Sequence, residues 1–253
     1  MNASLLLIYS LLFLAGLIAG LVDSIAGGGG LITIPVLLGI GMPPQAALGT
    51  NKLQASFGSG SAMLTFIRSG SVRLYDCTEA ILYTALGAEL GTYTVQLLDP
   101  AILRLVIPWL LVAIVLYTLL TPHLGYEDIH PRMNQRPFFL LVGLGLGFYD
   151  GFFGPGTGSF WVMALMLGLG FNMTRATAHT KVMNFTSNFA SLIMFIVGGA
   201  VHWREGLVMG AGQFIGARIG AHMVVTRGTR FIRPVFITMV LAITVRLIWQ
   251  NFR

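Results

Sequence analysis

The chain has 253 residues, of which 55% are hydrophobic and only 9% are charged. Soluble domains carry roughly 25% charged residues, so this composition is typical of a chain that is solvated largely by lipid. The net charge of +6 comes from basic residues scattered over short loops. Without a basic stripe or an aromatic platform, nucleic acid is not an expected partner. The single cysteine, Cys77, excludes an intramolecular disulfide and a multi-cysteine metal site.

Long apolar segments predict an all-α polytopic membrane protein, because roughly 20 apolar residues in a helix span a bilayer. The first segment is interpreted as a span rather than a cleaved leader, because no basic region precedes it and a similar segment recurs later. The predicted spans are residues 3–23, 46–67, 77–98, 101–120, 137–152, 181–200, 206–226 and 233–251.

One shorter apolar piece follows the first span in each half of the chain. The two pieces run from Leu31 to Ile40 and from Phe160 to Gly170. Pieces of this length rise only about 15 Å in a helix, which is half of a bilayer. We therefore expect one broken or re-entrant half-helix in each half.

The chain matches itself when it is shifted by 127 to 129 residues. Gly20-Leu-Val-Asp23 falls on Gly147-Phe-Tyr-Asp150, and Thr50-Asn-Lys52 falls on His179-Thr-Lys181. So long a repeat is typical of transporters built from two homologous halves of about four spans each. Parallel and inverted halves both fit, since the basic loop residues divide almost evenly between the two sides of a four-plus-four arrangement. The predicted units are a first bundle over residues 1–120, a polar linker over 121–137 and a second bundle over 138–253.

Glycine runs separate each first span from the short piece that follows it, at Gly27 to Gly30 and at Gly154-Pro-Gly-Thr-Gly158. Each glycine costs a helix roughly 1 kcal/mol relative to alanine, so these runs predict helix breaks. A break inside a bilayer exposes N–H groups that need partners, and the next half-helix adds its positive N-terminal end. Anion binding is therefore expected here, with tight turns for close helix packing as the alternative. The predicted donors are Gly28, Gly29, Gly30, Gly156 and Thr157.

The only two lysines, Lys52 and Lys181, occupy one repeat position. A charge at the centre of a span costs roughly 3 kcal/mol on insertion scales, so each needs a reason. Polar residues recur at spacings of three and four around both lysines, which favours a single face that lines a cavity. The alternatives are lysines that snorkel from helix ends and small residues that only pack. The predicted substrate-binding side chains are Asn51, Lys52, Gln54, Thr180, Lys181, Asn184 and Asn188.

Acidic residues also occupy matching positions. Asp23 and Asp150 end apolar runs just before the two glycine breaks. Because burial favours the neutral form of a carboxyl group, both are candidates to carry coupling protons, and interfacial caps are the alternative. Glu89 and Arg218 lie in matching Gly-Ala-X-X-Gly frames with opposite charges, which predicts a salt bridge between the halves.

These motifs resemble the TauE/SafE family of sulfite exporters and related permeases. The resemblance rests on Gly20-Leu-Val-Asp-Ser-Ile-Ala-Gly-Gly-Gly-Gly30, Pro35, Gly49-Thr-Asn-Lys52 and the second copy from Gly147 to Asn188. It implies a carrier of the bacterial inner membrane, with members linked to sulfite, sulfoacetate and other organosulfonates. The second copy departs by carrying Gly-Pro-Gly-Thr instead of four glycines and Met183 opposite Gln54. The two half-sites are therefore expected to contact different parts of one substrate.

The combined prediction is a secondary transporter of a small oxyanion, such as sulfite, a sulfonate or a related sulfur or organic anion, bound between the repeats. An anion channel of the same architecture is the alternative. An enzyme is not expected, because the five histidines are dispersed and no His-Glu-X-X-His pattern occurs. Expected partners are the anion, the lipid bilayer and a coupling proton, with a homodimer as one admissible assembly. No cofactor or metal is expected.

Overall fold

The computed structural model describes residues 3–103, 107, 109 and 130–228. Most of the predicted span 101–120, most of the linker 121–137 and all of the span 233–251 lie outside these residues. The predicted division of the chain into a first bundle, a linker and a second bundle therefore stays a prediction.

The described residues form helices and contain no strand. In chain order the helices are α1 Ala3–Ala26, α2 Gly30–Gly39, α3 Pro44–Arg68, α4 Thr78–Gln96, α5 Gln135–Phe138, α6 Leu144–Phe152, α7 Thr157–Leu169, α8 Met173–Val197 and α9 Trp203–Arg227. A 3₁₀ turn, Leu74–Cys77, leads into α4. A π-helical turn, Phe139–Gly143, joins α5 to α6 without a gap.

The predicted helical segments within these ranges are confirmed as helices, and most of their boundaries differ by three residues or fewer. One boundary is wrong, because α8 begins at Met173, eight residues before the predicted start at 181. Asn172 caps this helix, its side-chain oxygen accepting a hydrogen bond from the N–H of Arg175 at 2.9 Å. The polar first turns of α8 look like loop sequence, but they are helical.

By length and composition, one described helix is apolar enough to cross a membrane, over Leu5–Ala26 with a mean hydropathy of 2.6. Two shorter helices, α2 and α7, are also apolar. α3, α8 and α9 each have 25 residues, and such helices are about 37 Å long, more than the hydrocarbon core of a bilayer. These three are less apolar than α1 because they carry polar residues, many of them buried.

The outer surface of the bundle is apolar, and much of its interior is polar. Leu7 of α1 is 62% exposed and Val197 of α8 is 82% exposed, whereas Lys52 is 1% exposed and Lys181 is fully buried. Soluble proteins rarely show extended exposed apolar surface, so this distribution is typical of a helical membrane protein.

Two long helix pairs meet through glycines. α1 lies against α9, where a Cβ added to Gly216 would be 2.0 Å from the carbonyl oxygen of Leu17. α4 lies against α6, where a Cβ added to Gly91 would be 2.0 Å from the carbonyl oxygen of Phe148. Small residues at such interfaces let helix backbones approach closely. In both pairs, a helix from before residue 103 packs on a helix from after residue 130.

The central helices α3 and α8 pack against each other and run antiparallel. A Cβ added to Gly49, near the start of α3, would contact Phe195 near the end of α8. A Cβ added to Gly60, later in α3, would contact Phe185, which lies earlier in α8. Because α3 and α8 also contact several other helices, their residues lie at the centre of the bundle.

The predicted salt bridge between Glu89 and Arg218 is wrong. Glu89 lies on α4, which packs against α6, while Arg218 lies on α9, which packs against α1. Both residues are exposed, and neither forms an ion pair with the other. The opposite charges at matching positions thus do not bring the two helices together.

The close contact of α1 with α9 predicts that Gly216→Val strongly destabilises the protein, because the new side chain has no room beside Leu17. Thermal unfolding of the purified protein in detergent should show a fall in melting temperature of several degrees or a loss of folded protein. Gly145→Val is the matched control, since a Cβ at Gly145 meets nothing within 4 Å. An equal effect of both substitutions would contradict the packing argument.

Candidate functional site

The two helix breaks are formed by glycines in left-handed conformations, as the sequence predicts. Gly27 and Gly28 have φ angles of 75° and 100°, and Gly154 and Gly156 have φ angles of 98° and 82°. Residues other than glycine rarely adopt such φ angles, which explains why glycines occupy the breaks. The breaks also face each other, because a Cβ added to Gly27 would be 2.5 Å from the backbone nitrogen of Ser159.

Backbone donors at the breaks face this junction. The N–H of Gly29 donates to Asp23 Oδ1 at 3.0 Å. In the described part of the chain, no hydrogen bond uses the N–H groups of Gly28 or Gly30, nor that of Gly156 in the second break. Short helices begin directly after both breaks, so their N-terminal ends add partial positive charge.

Lys52 is held by the second break rather than left free. Its Nζ donates to Asp150 Oδ1 at 2.7 Å and to the Asp150 carbonyl oxygen at 2.5 Å. A third, longer bond of 3.3 Å reaches Asn188 Oδ1. The side chains of Lys52 and Asp150 are 1% and 5% exposed, so this is a buried ion pair. The hydroxyl of Ser187 also donates to Asp150 Oδ2.

Lys181 makes the corresponding pair with the first break. Its Nζ lies 3.0 Å from Asp23 Oδ2 and also donates to the Asp23 carbonyl oxygen. Its side chain is 1% exposed, while that of Asp23 is 16% exposed, about three times as accessible as Asp150. Each lysine therefore binds the aspartate from the other part of the chain.

This geometry bears on one of the alternatives left open by the sequence. The snorkelling interpretation of Lys52 and Lys181 is wrong, because both ammonium groups are buried in mid-helix. Asp23 accepts the N–H of Gly29, the residue that precedes α2. Both aspartates also carry the counter-charge of a lysine, a role that the sequence reading did not include.

The amide side chains around the lysines form a polar network that is only partly satisfied. Asn51 Oδ1 accepts hydrogen bonds from Thr33 Oγ1 and Gln54 Nε2, each at 2.6 Å. Thr180 occupies the repeat position of Asn51, but its buried hydroxyl has no partner. Asn184 Oδ1 is likewise buried and unpartnered. Buried polar atoms without partners cost free energy, so they indicate a place where a ligand or water can bind.

A cavity of about 30 Å³ lies where the two breaks meet. Such a volume holds about one or two water molecules. Ten of the predicted site residues line it: Asp23, Gly28, Gly29, Gly30, Asn51, Asp150, Gly156, Thr157, Asn184 and Asn188. Lys52, Gln54, Thr180 and Lys181 lie behind this lining and contact the cavity only through their neighbours.

Sequence reasoning missed several residues of the cavity wall. Gln213 of α9 lines the cavity, is 2% exposed and has an unpartnered Oε1. A lone glutamine within the Gly-Ala-Gly-Gln segment of α9 was the signal that could have identified it. Ala55 also lines the cavity, as do Gly154 and Gly158 of the second break. The position of Ala55 depends on the helix packing.

A bundle with an apolar exterior and two ion pairs buried beside paired helix breaks is characteristic of a helical membrane transporter. The model of the family described as sulfite exporter TauE/SafE matches residues 12–247. The chain therefore belongs to the TauE/SafE family, as the resemblance of its motifs implied.

Relatives of similar length support the same class. A probable membrane transporter protein of Haemophilus influenzae is 50% identical over 242 residues, covering 96% of this chain and 95% of the relative. The probable membrane transporter protein YfcA of Escherichia coli is 46% identical over 245 residues, covering 97% and 91%. A Sinorhizobium relative, the probable membrane transporter protein ORF9, is 46% identical over 237 residues, covering 94% and 91%. No solved structure matches the chain.

The buried pair of Lys52 and Asp150 predicts a large coupling energy between these two side chains. Lys52→Met and Asp150→Asn should each lower the free energy of unfolding by roughly 3–5 kcal/mol, because each leaves one buried charge unpaired. The double variant should recover much of that loss. A double-mutant cycle on unfolding in detergent measures the coupling.

The exposed pair of Arg136 and Glu79 is the matched control for this cycle. Its nitrogen and oxygen atoms are 2.9 Å apart, but the side chains are 87% and 43% exposed. Exposed pairs contribute about 1 kcal/mol or less. A coupling energy for the buried pair no larger than that of the exposed pair would refute the assignment.

Proposed function

We propose that the protein is a secondary transporter that carries a small oxyanion, such as sulfite or a sulfonate, through the cavity between the two breaks. The observation that carries the proposal is the pair of crossed lysine–aspartate contacts around a junction of helix N-termini. Backbone N–H groups and amide side chains line this point, and the two ammonium groups lie directly behind it, each bound to an aspartate. An anion that replaces an aspartate at its lysine finds hydrogen-bond donors there, which suits an oxyanion better than an apolar solute.

We infer that the two halves are inverted repeats. The antiparallel course of α3 and α8, whose lysines match in the repeat, supports this arrangement. The pairing of α1 with α9 and of α4 with α6 is consistent with two halves related by a twofold axis, since matching helices take matching partners. In an inverted repeat the substrate binds near the midplane, and the two halves alternately open to either side.

Charge balance connects anion binding to a proton. Lys52, Lys181, Asp23 and Asp150 together carry two positive and two negative charges, so the closed site is neutral. A bound monoanion alone would leave one uncompensated negative charge in a buried site, which is costly. Protonation of one aspartate restores neutrality and frees its lysine for the anion. Asp23 is the better candidate because it is the more exposed of the two.

The size of the cavity favours a carrier over a channel. At about 30 Å³ it is too small for a four-atom sulfite or for a sulfonate head group. An anion therefore enters only after the breaks separate, which supports a carrier whose site opens and closes around each substrate. The family and the named relatives point to the same class.

From the positions of the arginines we propose an orientation in the bacterial inner membrane. Seven of the eight described arginines lie at the end of the bundle where α3 ends and α8 begins, and only Arg204 lies at the opposite end. The seven are Arg68, Arg73, Arg132, Arg136, Arg175, Arg218 and Arg227. Loops rich in arginine stay in the cytoplasm, so this end is assigned to the cytoplasmic side. The even division expected from the sequence is wrong for three described arginines, Arg175, Arg204 and Arg227, each of which lies at the end opposite to the one that a four-plus-four arrangement gives it.

Transport by the reconstituted protein should be electroneutral for a monoanion. In proteoliposomes, methanesulfonate uptake should be driven by an inward proton gradient and should be insensitive to membrane potential. Lys52→Ala and Lys181→Ala should each reduce uptake at least tenfold, and Asp23→Asn should abolish the response to the proton gradient. Glu89→Gln, an exposed carboxyl on α4, is the control and should transport normally. Unchanged uptake in both lysine variants would refute the proposed site.

The orientation predicts opposite labelling of the two ends of the bundle. In a Cys77→Ala background, Ser69→Cys should react with a membrane-impermeant thiol reagent only from the cytoplasmic side. Asp99→Cys, at the other end, should react only from the periplasmic side. Both positions are exposed, so access to the reagent does not differ between them. The reverse pattern in intact cells and inverted vesicles would contradict the assignment.

A further inference from the structure

A groove of about 700 Å³ runs along the outside of the bundle between α3 and α9. The two helices are parallel here, and Ser61 Oγ donates to the carbonyl oxygen of Phe214 at 2.9 Å. From that contact the groove continues for about two helical turns toward Ser69, where α3 ends. It belongs to neither the cavity nor the helix breaks.

The end of the groove is basic and lacks acidic partners. Arg68 and Ser69 line it from α3, and Arg218 and His222 line it from α9. No ion pair or hydrogen bond of the described residues engages the guanidinium of Arg68 or Arg218. Among the residues that the structure describes, no Asp or Glu side chain lines the groove. Two arginines that line one groove without a neighbouring carboxylate can both bind an anion such as phosphate.

The wall of the groove is apolar over the rest of its length. Leu64 lines it from α3, and Phe214, Ile219 and Met223 line it from α9. Leu64 is 45% exposed and Ile219 is 48% exposed, so this wall faces the surroundings of the bundle. A ligand that fills the groove therefore needs an anionic head and an apolar tail.

The repeat relates α3 and α9 to α8 and α4, and the position between α8 and α4 that corresponds to the groove is neither open nor basic. It is closed where Gly198 lies against the side chain of Gln96, because a Cβ at Gly198 would be 1.9 Å from Gln96 Oε1. It carries Glu89 at the position that matches Arg218. The basic groove is therefore a feature of one end of the molecule, the arginine-rich end.

We propose that this groove binds an anionic phospholipid, with its phosphate between Arg68 and Arg218 and an acyl chain along Leu64 and Ile219. A zwitterionic lipid has the same tail, but its head group carries no net negative charge and gains less from the arginines. The proposed orientation assigns the bound lipid to the cytoplasmic leaflet. The proposal does not depend on the identity of the transported anion.

Binding of lipids to the delipidated protein in detergent, measured by native mass spectrometry, tests the proposal. Phosphatidylglycerol should bind more tightly than phosphatidylcholine of the same acyl chains. The double variant Arg68→Gln with Arg218→Gln should weaken phosphatidylglycerol binding roughly 30-fold, the effect of two basic residues at a lipid surface. The variant should leave phosphatidylcholine binding nearly unchanged.

The double variant Arg132→Gln with Arg204→Gln is the matched control, since both arginines are exposed and lie outside the groove. It should retain the preference for phosphatidylglycerol. Glycerol 3-phosphate should fail to displace the lipid, because it lacks the tail. Equal binding of the two lipids by the unmodified protein, an equal loss in the control variant, or full displacement by glycerol 3-phosphate would overturn the proposal.

Discussion

Two buried lysine–aspartate pairs determine how the rest of this structure can be arranged. A lysine in the middle of a membrane helix is tolerated only with a partner, and each partner here comes from the opposite part of the chain. Lys52 on α3 must reach Asp150 at the second break, and Lys181 on α8 must reach Asp23 at the first. Both contacts form only if α3 and α8 lie side by side and both breaks meet between them.

The glycines of the outer helix pairs follow from this requirement. The breaks can meet at the centre only if α1 and α6 lie close to the helices that enclose them. Gly216 on α9 and Gly91 on α4 permit that approach, since neither position has room for a Cβ. The glycines of the breaks have a different reason, because Gly28 and Gly154 adopt φ angles of 100° and 98°. Packing and backbone conformation therefore use the same residue type for separate purposes.

Much of the candidate site could be predicted from the sequence because its residues break local rules. Glycine runs inside apolar segments, and lysines and aspartates at matching repeat positions, are visible without any structure. The crossed pairing was not predictable, because it depends on the relative direction of α3 and α8, which local patterns do not contain. Gln213 was missed for a similar reason, since only packing places α9 beside the cavity. Glu89 and Arg218 show the reverse error, in which matching charges suggested a contact that the helix pairing prevents.

The neutrality of the four-charge cluster is the central claim, and proton uptake on substrate binding tests it most directly. The purified protein in weakly buffered detergent solution is mixed with methanesulfonate, and the change in proton concentration is compared with the amount of anion bound. The crossed pairs predict that about one proton is taken up for each anion bound, and that Asp23→Asn loses this uptake. Anion binding by the unmodified protein without proton uptake would contradict the account.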